Sequence, residues 1–339
     1  MPTPIPKNVA ESDLSRKLAK EKLIRVHQGK VRDTWTLPNH PGRLLQVATD
    51  RISIFDFVLN AKVPHKGEVL TAMTIFWLQE VLRGFRHHVE ERGGFVDNYL
   101  PDTLCHNTDL QRRALVVKKL DMLPVEAIVR GTLTGSGFKS YQKDGTVCGF
   151  VLPEGLHDGD LIPDPMFPLF TPTTKAVEGH DEHMDATGVI NRFGRPVCDL
   201  SRAAYLIAFT YAWERGVVIA DTKFECSRDA FGDEIITPDS SRFWDRDEWE
   251  ATRAKGVSPT PYDKQSVRDW GKAIATPFEG ITGIGNLDPE NPEHVAFVHD
   301  LEVPSDVLEV AARRYETIFR RIVGTELRGF QGVHMQASG

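Results

Sequence analysis

The chain has 339 residues, 40% of them hydrophobic and 26% charged, with a mean hydropathy of −0.31, a composition for a globular protein large enough for two lobes. A net charge of −7 opposes nonspecific binding to nucleic acid, which needs a basic surface. The four cysteines, Cys105, Cys148, Cys198 and Cys226, form no CxxC pair; there is no apolar signal core at the N-terminus and no apolar run of membrane-spanning length, so the expectation is a cytoplasmic protein with no membrane partner.

In chain order, short β-like runs alternate with turns at Leu23–Gln28, Val31–Leu37 and Leu44–Ala48. Thr71–Leu82 predicts a buried helix. Leu115–Leu120 and Val125–Arg130 predict strands around the turn Asp121-Met122-Leu123-Pro124. Helical character resumes at Phe138–Lys143 and Glu178–Thr187, and Arg202–Arg215 predicts a helix closed by Gly216. Leu152–Pro172 and Gly280–Pro292 read as ordered loops. The apolar positions Val307, Leu308, Ala311, Tyr315, Ile318, Phe319, Ile322 and Val323 recur at helical spacing, and the tail Gly332–Gly339 is expected to fray. The order is a β-rich N-terminal lobe, a mixed central lobe and C-terminal helices.

The segment Val217–Trp244 carries the most chemistry. Asp221, Lys223 and Glu225 alternate, so an extended strand puts two carboxylates and an ammonium on one wall. A turn with Gly232 leads to a second β-like run, Glu234–Thr237, preceded by Asp233; pairing as a hairpin would set Asp233 across from Glu225. One or two carboxylates plus substrate phosphates is a common way to hold Mg²⁺. Pro238-Asp239-Ser240-Ser241-Arg242 offers an acid, two hydroxyls and a guanidinium, which suits a phosphorylated substrate. An ordinary charged surface hairpin is the other reading.

Gln28–Asp33 holds Gly29 and Lys30 between two β-like runs, either a phosphate loop or a plain β-turn; it is no Walker A sequence. Arg130-Gly131-Thr132-Leu133-Thr134-Gly135-Ser136-Gly137 runs from a strand end into a helix start, a place for an anion or a loop capped by Ser136. Thr173–Glu182 gathers Lys175, acids and His180 in what is either a charged helix start or a site; a zinc site is not expected. Thr49–Asp56 is an edge strand or a substrate wall. No nucleophile elbow is present, so carboxylates with scattered Lys and Arg point to phosphoryl transfer.

LPVEAIVRGTLTGS (Leu123–Ser136) and DTKFE (Asp221–Glu225) resemble the two signatures of the SAICAR synthetases. GKVRD, TDRISIFD, TPTTKA with EGHDE, TPDSSRFW and YDKQSVRDW fall in that family's order, over about residues 25 to 275. The resemblance implies an α+β, two-lobed SAICAR synthase-like fold, its N-terminal lobe related to ATP-grasp and kinase nucleotide lobes. The implied parts are a nucleotide-binding lobe at 1–120, a central lobe with the Mg and substrate site at 121–270, and a C-terminal helical segment and tail at 271–339. It implies a purine-biosynthesis ligase that joins L-aspartate to CAIR using ATP and Mg²⁺, through an acyl phosphate. By the same resemblance, Lys30 and Arg32 contact ATP phosphates, and Lys119, Leu120 and Met122 hold adenine. Glu225 and Asp233 hold Mg²⁺; Arg130, Ser136 and Arg242 bind the CAIR phosphate; Asp50 and Ser53 flank the substrate; Lys223, Asp239 and Lys175 lie near the reacting groups. Arg32 stands where many relatives have lysine, and Cys226-Ser227 replaces the usual continuation of DxKxE. The long Gly155–Pro168 loop resembles longer, monomeric members. Two rivals remain from the residues: a small-molecule kinase of the inositol-phosphate type, and a nucleotide-binding regulatory protein without turnover.

Overall fold

The computed structural model describes residues 4–174 and 185–338. Lys175, His180 and most of the Glu178–Thr187 helix expectation lie outside the described residues. The chain opens with α1 (Lys7–Ala10) and α2 (Asp13–Lys20), the latter capped by Ser12, whose hydroxyl accepts from Ser15 N–H. A first antiparallel sheet follows, built from β1 (Arg25–Gln28), β2 (Arg32–Thr36) and β3 (Arg43–Ala48). The hairpin of β4 (Arg51–Ile54) and β5 (Phe57–Lys62) precedes α3 (Lys66–Phe76). After β6 (Val89–Arg92) and α4 (Thr108–Arg113), β7 (Ala114–Lys118) completes the sheet in the order β1-β2-β3-β7-β6. Leu14 and Leu18 of α2 pack with Trp35, Leu45 and Leu110 on one face of it.

The turn after β7 does not close a hairpin. It crosses to β8 (Val125–Arg130), in a second sheet, because β7 takes its partners from β3 and β6 while β8 takes its from later strands. Next come α5 (Gly135–Asp144), the small hairpin β9 (Thr146–Val147) and β10 (Phe150–Val151), then β11 (Leu169–Phe170) and β12 (Thr173–Thr174), both on β8. The helices α6 (Ala186–Phe193) and α7 (Arg195–Trp213) lead into β13 (Val217–Cys226), which lies beside β8 at the centre. Short β14 (Phe231–Gly232) and β15 (Ser241–Asp245) both pair with β13. The chain ends with α8 (Arg246–Arg253), α9 (Gln265–Lys272), α10 (Pro292–Asp300), α11 (Ser305–Val323) and α12 (Leu327–His334).

Four expectations change. The helix predicted at 71–82 begins at Lys66 and finishes in a π-helical turn, Trp77–Val81. Lys66-Gly67-Glu68 has weak helical preference on its own, but Asp50 Oδ1 accepts the Gly67 N–H at 2.8 Å and every residue of α3 is buried. The helix predicted from Arg202 likewise starts at Arg195, with Pro196 in its first turn.

The second strand of the acidic hairpin is Phe231–Gly232, not Glu234–Thr237. Asp233 and Ile236 adopt left-handed backbone (φ 53° and 49°), which breaks an extended run. The backbone groups of this segment bond to α3 and the residue after it: Thr74 Oγ1 receives Ile235 N–H at 3.3 Å, and Trp77 Nε1 donates to Ile236 O at 2.8 Å. Gly232, rather than Asp233, therefore sits opposite Glu225.

The tail also departs from expectation. Helix α12 covers Leu327–His334, Met335 is fully buried, Gly94 N–H donates to Met335 O at 2.9 Å, and Ser338 N–H donates to Gln111 Oε1 at 2.8 Å. Packing thus holds a segment whose composition alone suggests fraying.

Candidate active site

The β1–β2 hairpin tip forms one lip of the site. Gly29 N–H closes the turn on Arg32 O at 2.7 Å, and a Cβ at Gly29 would meet that same oxygen at 2.9 Å, so the turn requires glycine. Lys30 at the tip pairs with Asp56 at 2.5 Å. Arg32 crosses from the first sheet to the second, pairing with Asp233 and lying 3.6 Å from Glu234. Burial lowers the Arg32 pKa, but Asp233 and Glu234 outweigh it and hold the guanidinium above its usual range.

Strand β13 supplies the opposite wall. Its alternation puts Asp221, Lys223 and Glu225 on one face. Across the ladder, Asp221 faces Arg130 and Arg242, and Glu225 faces Glu126. Lys223 Nζ donates to Glu126 and lies 3.3 Å from Glu225 Oε1. Burial disfavours the ammonium, but Glu225 and Glu126 raise its pKa well above the lysine range. The two carboxylates thus favour the charged ammonium of Lys223.

Between these walls lies a cleft of about 2120 Å³, lined by Lys30, Arg32, Ser53, Lys223, Glu225 and Asp233 among others. Typical small-molecule pockets occupy roughly 300–1,000 Å³, so the space admits a nucleotide and more. The crossover from β7 to β8 lines one end with Lys119, Leu120 and Met122. Lys119 N–H is already given to Gly42 O at 2.8 Å. The N–H groups of Leu120, Asp121 and Met122 donate to no described residue, so this stretch offers backbone donors to a base.

A second, smaller pocket of about 170 Å³ adjoins the first and is lined by Arg130, Ser136, Asp221 and Arg242. Arg130 is buried with each nitrogen committed: Nε to Thr171 Oγ1 at 2.9 Å, Nη1 to Asp221 at 2.8 Å and Nη2 to Ser136 Oγ at 3.0 Å. Arg242 also donates to Asp221. A Cβ at Gly135, whose φ is +57°, would lie 2.7 Å from Arg242 Nη2, so that glycine lets the guanidinium approach the start of α5. Lys223, Asp239 and Arg268 line both cavities. A nucleotide-sized cleft and an arginine-lined pocket thus meet at the Lys223 strand.

Residues 25–282 match the profile of the family described as SAICAR synthetase. The chain belongs to that family. The phosphoribosylaminoimidazole-succinocarboxamide synthase of Stenotrophomonas maltophilia is 37% identical, covering 95% of this chain and 98% of its own length. The synthase of that name from Schizosaccharomyces pombe is 37% identical, over 88% and 94%. Among solved structures, the SAICAR-synthase from Saccharomyces cerevisiae complexed with SAICAR superposes with a TM-score of 0.73 at 33% identity, covering 90% of this chain and 96% of that one. A type-2 SAICAR synthetase solved with ADP shares the fold, with a TM-score of 0.56 at 19% identity.

Within this SAICAR synthetase fold, Lys30, Arg32, Ser53, Lys119, Leu120, Met122, Lys223, Glu225, Asp233 and Asp239 line the large cleft, and Arg130, Ser136 and Arg242 the small pocket. Asp50 lines neither: its carboxylate caps Gly67 and pairs with Arg113 at 3.1 Å, holding α3 to α4. Asp239 is deeply buried, with Lys66 at 2.5 Å, Tyr315 at 2.5 Å and Lys264 at 3.8 Å from its oxygens. Burial would raise its pKa, but Lys66 and Lys264 hold it well below the carboxylate range. Sequence reasoning missed Glu126, Asp221 as the acceptor shared by two arginines, and the Lys66–Tyr315 surround of Asp239. Only the β8–β13 register could have paired Glu126 with Glu225, and nothing local links residues 66, 239 and 315. YDKQSVRDW also brings Lys264 and Arg268 to the large cleft, a placement its local spacing does not disclose.

Proposed function

We propose a division of labour along this cleft for the reaction the chain catalyses, the ATP-dependent joining of L-aspartate to CAIR to give SAICAR in purine biosynthesis. The activity is that of a phosphoribosylaminoimidazole-succinocarboxamide synthase. A carboxylate is a poor electrophile without a good leaving group. In our reading the γ-phosphoryl group of ATP passes to a carboxylate oxygen of CAIR, leaving ADP and an acyl phosphate. The aspartate amine, having given up a proton, then forms the C–N bond as the C–O bond to phosphate breaks.

The base lies against Lys119–Met122, with a backbone N–H of Leu120–Met122 as donor and the Met122 thioether against the ring. Lys30 and Arg32 face the phosphates; Arg32, already paired with Asp233, acts as a fixed counter-charge. Lys223 sits where negative charge grows during transfer, and its two acidic neighbours keep it charged. Arg242, with Arg130 and Ser136 behind it, receives the CAIR phosphate in the small pocket, and Ser53 lies at the cleft wall.

Glu225 and Asp233 fit Mg²⁺ by donor chemistry: both are hard carboxylate ligands lining the cleft. Among the described residues no group of three or more His, Cys, Asp or Glu side chains could hold a metal by itself. That suits a cation held by one or two carboxylates together with nucleotide phosphates. When bound, the ion would neutralise phosphate charge.

The observation that carries this assignment is the meeting of the two cavities at Lys223, Asp239 and Arg268. The test is ADP release with MgATP, CAIR and L-aspartate, each omitted in turn. Release that needs CAIR, with a succinocarboxamide product only when aspartate is present, supports the assignment. Phosphate transfer to a hydroxyl compound instead would favour the kinase rival. The proposal includes a cytoplasmic monomer; a sedimentation mass of twice 38.1 kDa would reject the monomer.

A further inference from the structure

Asp239 occupies the turn before β15, at the junction of the two cavities, yet its side chain is only 4% exposed. A carboxylate so buried needs partners. Lys66, fully buried at the start of α3, pairs with Oδ2 at 2.5 Å. Lys264 is 3.8 Å from Oδ1, beyond hydrogen-bond range. Tyr315 of α11 donates a hydrogen bond to Oδ1, its hydroxyl 2.5 Å away. The ring is fully buried and the Lys66 ammonium stands 5.9 Å from its centroid, so the three groups form a closed triangle. Burial and the adjacent Asp239 hold the phenol well above its ordinary range, so it remains a donor. Tyr315 lies beyond residue 282, where the family match ends.

The turn that Asp239 fixes touches both halves of the reaction site. Ser240 O accepts the Lys223 N–H at 2.8 Å, so the turn braces the strand that presents Lys223. Two residues after Ser240, Arg242 enters the phosphate pocket. Thr237 N–H donates to Ser240 Oγ at 3.0 Å, which keeps the turn compact but does not set its place against α3 or α11. On the α3 side the segment is held by Thr74 and Trp77 through the Ile235 and Ile236 backbone and by Lys66 on Asp239 Oδ2; on the α11 side Tyr315 holds Oδ1.

We propose that Tyr315 is a positioning residue for the reaction: its hydroxyl orients Asp239, and through that carboxylate it sets the turn that carries Arg242 and braces Lys223. The inference rests on assigning the small pocket to the CAIR phosphate. Tyr315→Phe removes one oxygen and leaves the ring. Its kcat falls about tenfold or more and its KM for CAIR rises about threefold, since the lost bond is to a charged group, while KM for ATP stays within twofold. A merely structural role would lower the melting temperature without this split.

The measurement is steady-state kinetics against each substrate, with thermal melting, on Tyr315→Phe and on a protein carrying 4-aminophenylalanine at 315. The second variant keeps both ring and donor, and is expected to retain kcat within threefold. Values of kcat and CAIR KM within twofold of wild type for Tyr315→Phe would overturn the proposal. If that variant does not fold, a tenfold loss of kcat in the folded 4-aminophenylalanine protein would overturn it equally. Arg242→Ala run alongside separates the two ideas: if it leaves the CAIR KM unchanged, the pocket assignment has failed, whatever Tyr315 does.

Discussion

Arg242→Ala gives the sharpest test of the phosphate pocket. In the free protein the Arg242 guanidinium donates to Asp221, and 31% of its side chain is exposed, so it is partly presented to the cavity. Arg130 also holds Asp221, at 2.8 Å, so truncating Arg242 leaves that buried carboxylate paired and stability changes little. On the proposed assignment the lost contact is a charge-assisted bond to phosphate, worth roughly 1.5–3 kcal/mol. Arg242 must share itself between Asp221 and the incoming phosphate, which places the effect near the middle of that range. About 2 kcal/mol corresponds to roughly a 30-fold rise in KM for CAIR. Lys30, Arg32 and the Lys119–Met122 segment line the other cavity, so KM for ATP should move less than threefold. Initial rates with each substrate varied at saturating levels of the others give both constants. Equal rises for CAIR and ATP, or a melting temperature so low that both constants report unfolding, would refute the assignment.

Glu225→Gln keeps size but removes the charge of the proposed metal ligand; turnover should fall by about 100-fold or more, with a raised Mg²⁺ requirement in a titration at fixed ATP, and full activity would reject the metal role. His88 is buried neutral beside His87, Arg32 and Asp233, and burial lowers its pKa from 6.5 to about 4. The unfolded chain therefore binds the extra proton between those values, so this stability contribution is complete above pH 6.5 and lost as pH falls towards 4, about 3 kcal/mol in all. Urea melts at pH 7 and pH 4.5 should show a steeper loss in wild type than in His88→Gln; parallel losses would contradict it. Met335→Ala removes a fully buried side chain from the C-terminal anchor and should cost about 2–4 kcal/mol in denaturant melts, whereas a frayed tail would cost nothing measurable.

Much of the site was legible along the chain because its chemistry is local. Alternation alone put Asp221, Lys223 and Glu225 on one face, and Gly29-Lys30 and Gly135-Ser136 announced the tip of the β1–β2 hairpin and the start of α5. Ordered motifs then carried the family and its fold, and the strands β2, β3, β7 and β8 fell where short apolar runs predicted them. What the sequence could not decide were choices among distant partners. Glu234–Thr237 has the composition of a strand, yet its backbone hydrogen bonds go to Thr74 and Trp77, so it turns. Lys66-Gly67 looks unhelical until Asp50 caps it. The tail looks free until Gly94 and Gln111 hold it. The role of Asp239 likewise depends on Lys66 and Tyr315, which reach it from helices far away in the chain. Local spacing fixes which side chains share a face, because backbone geometry repeats over a few residues. Which buried charge meets which is settled only when the whole chain packs, because desolvation makes each such group depend on partners that no sequence window contains.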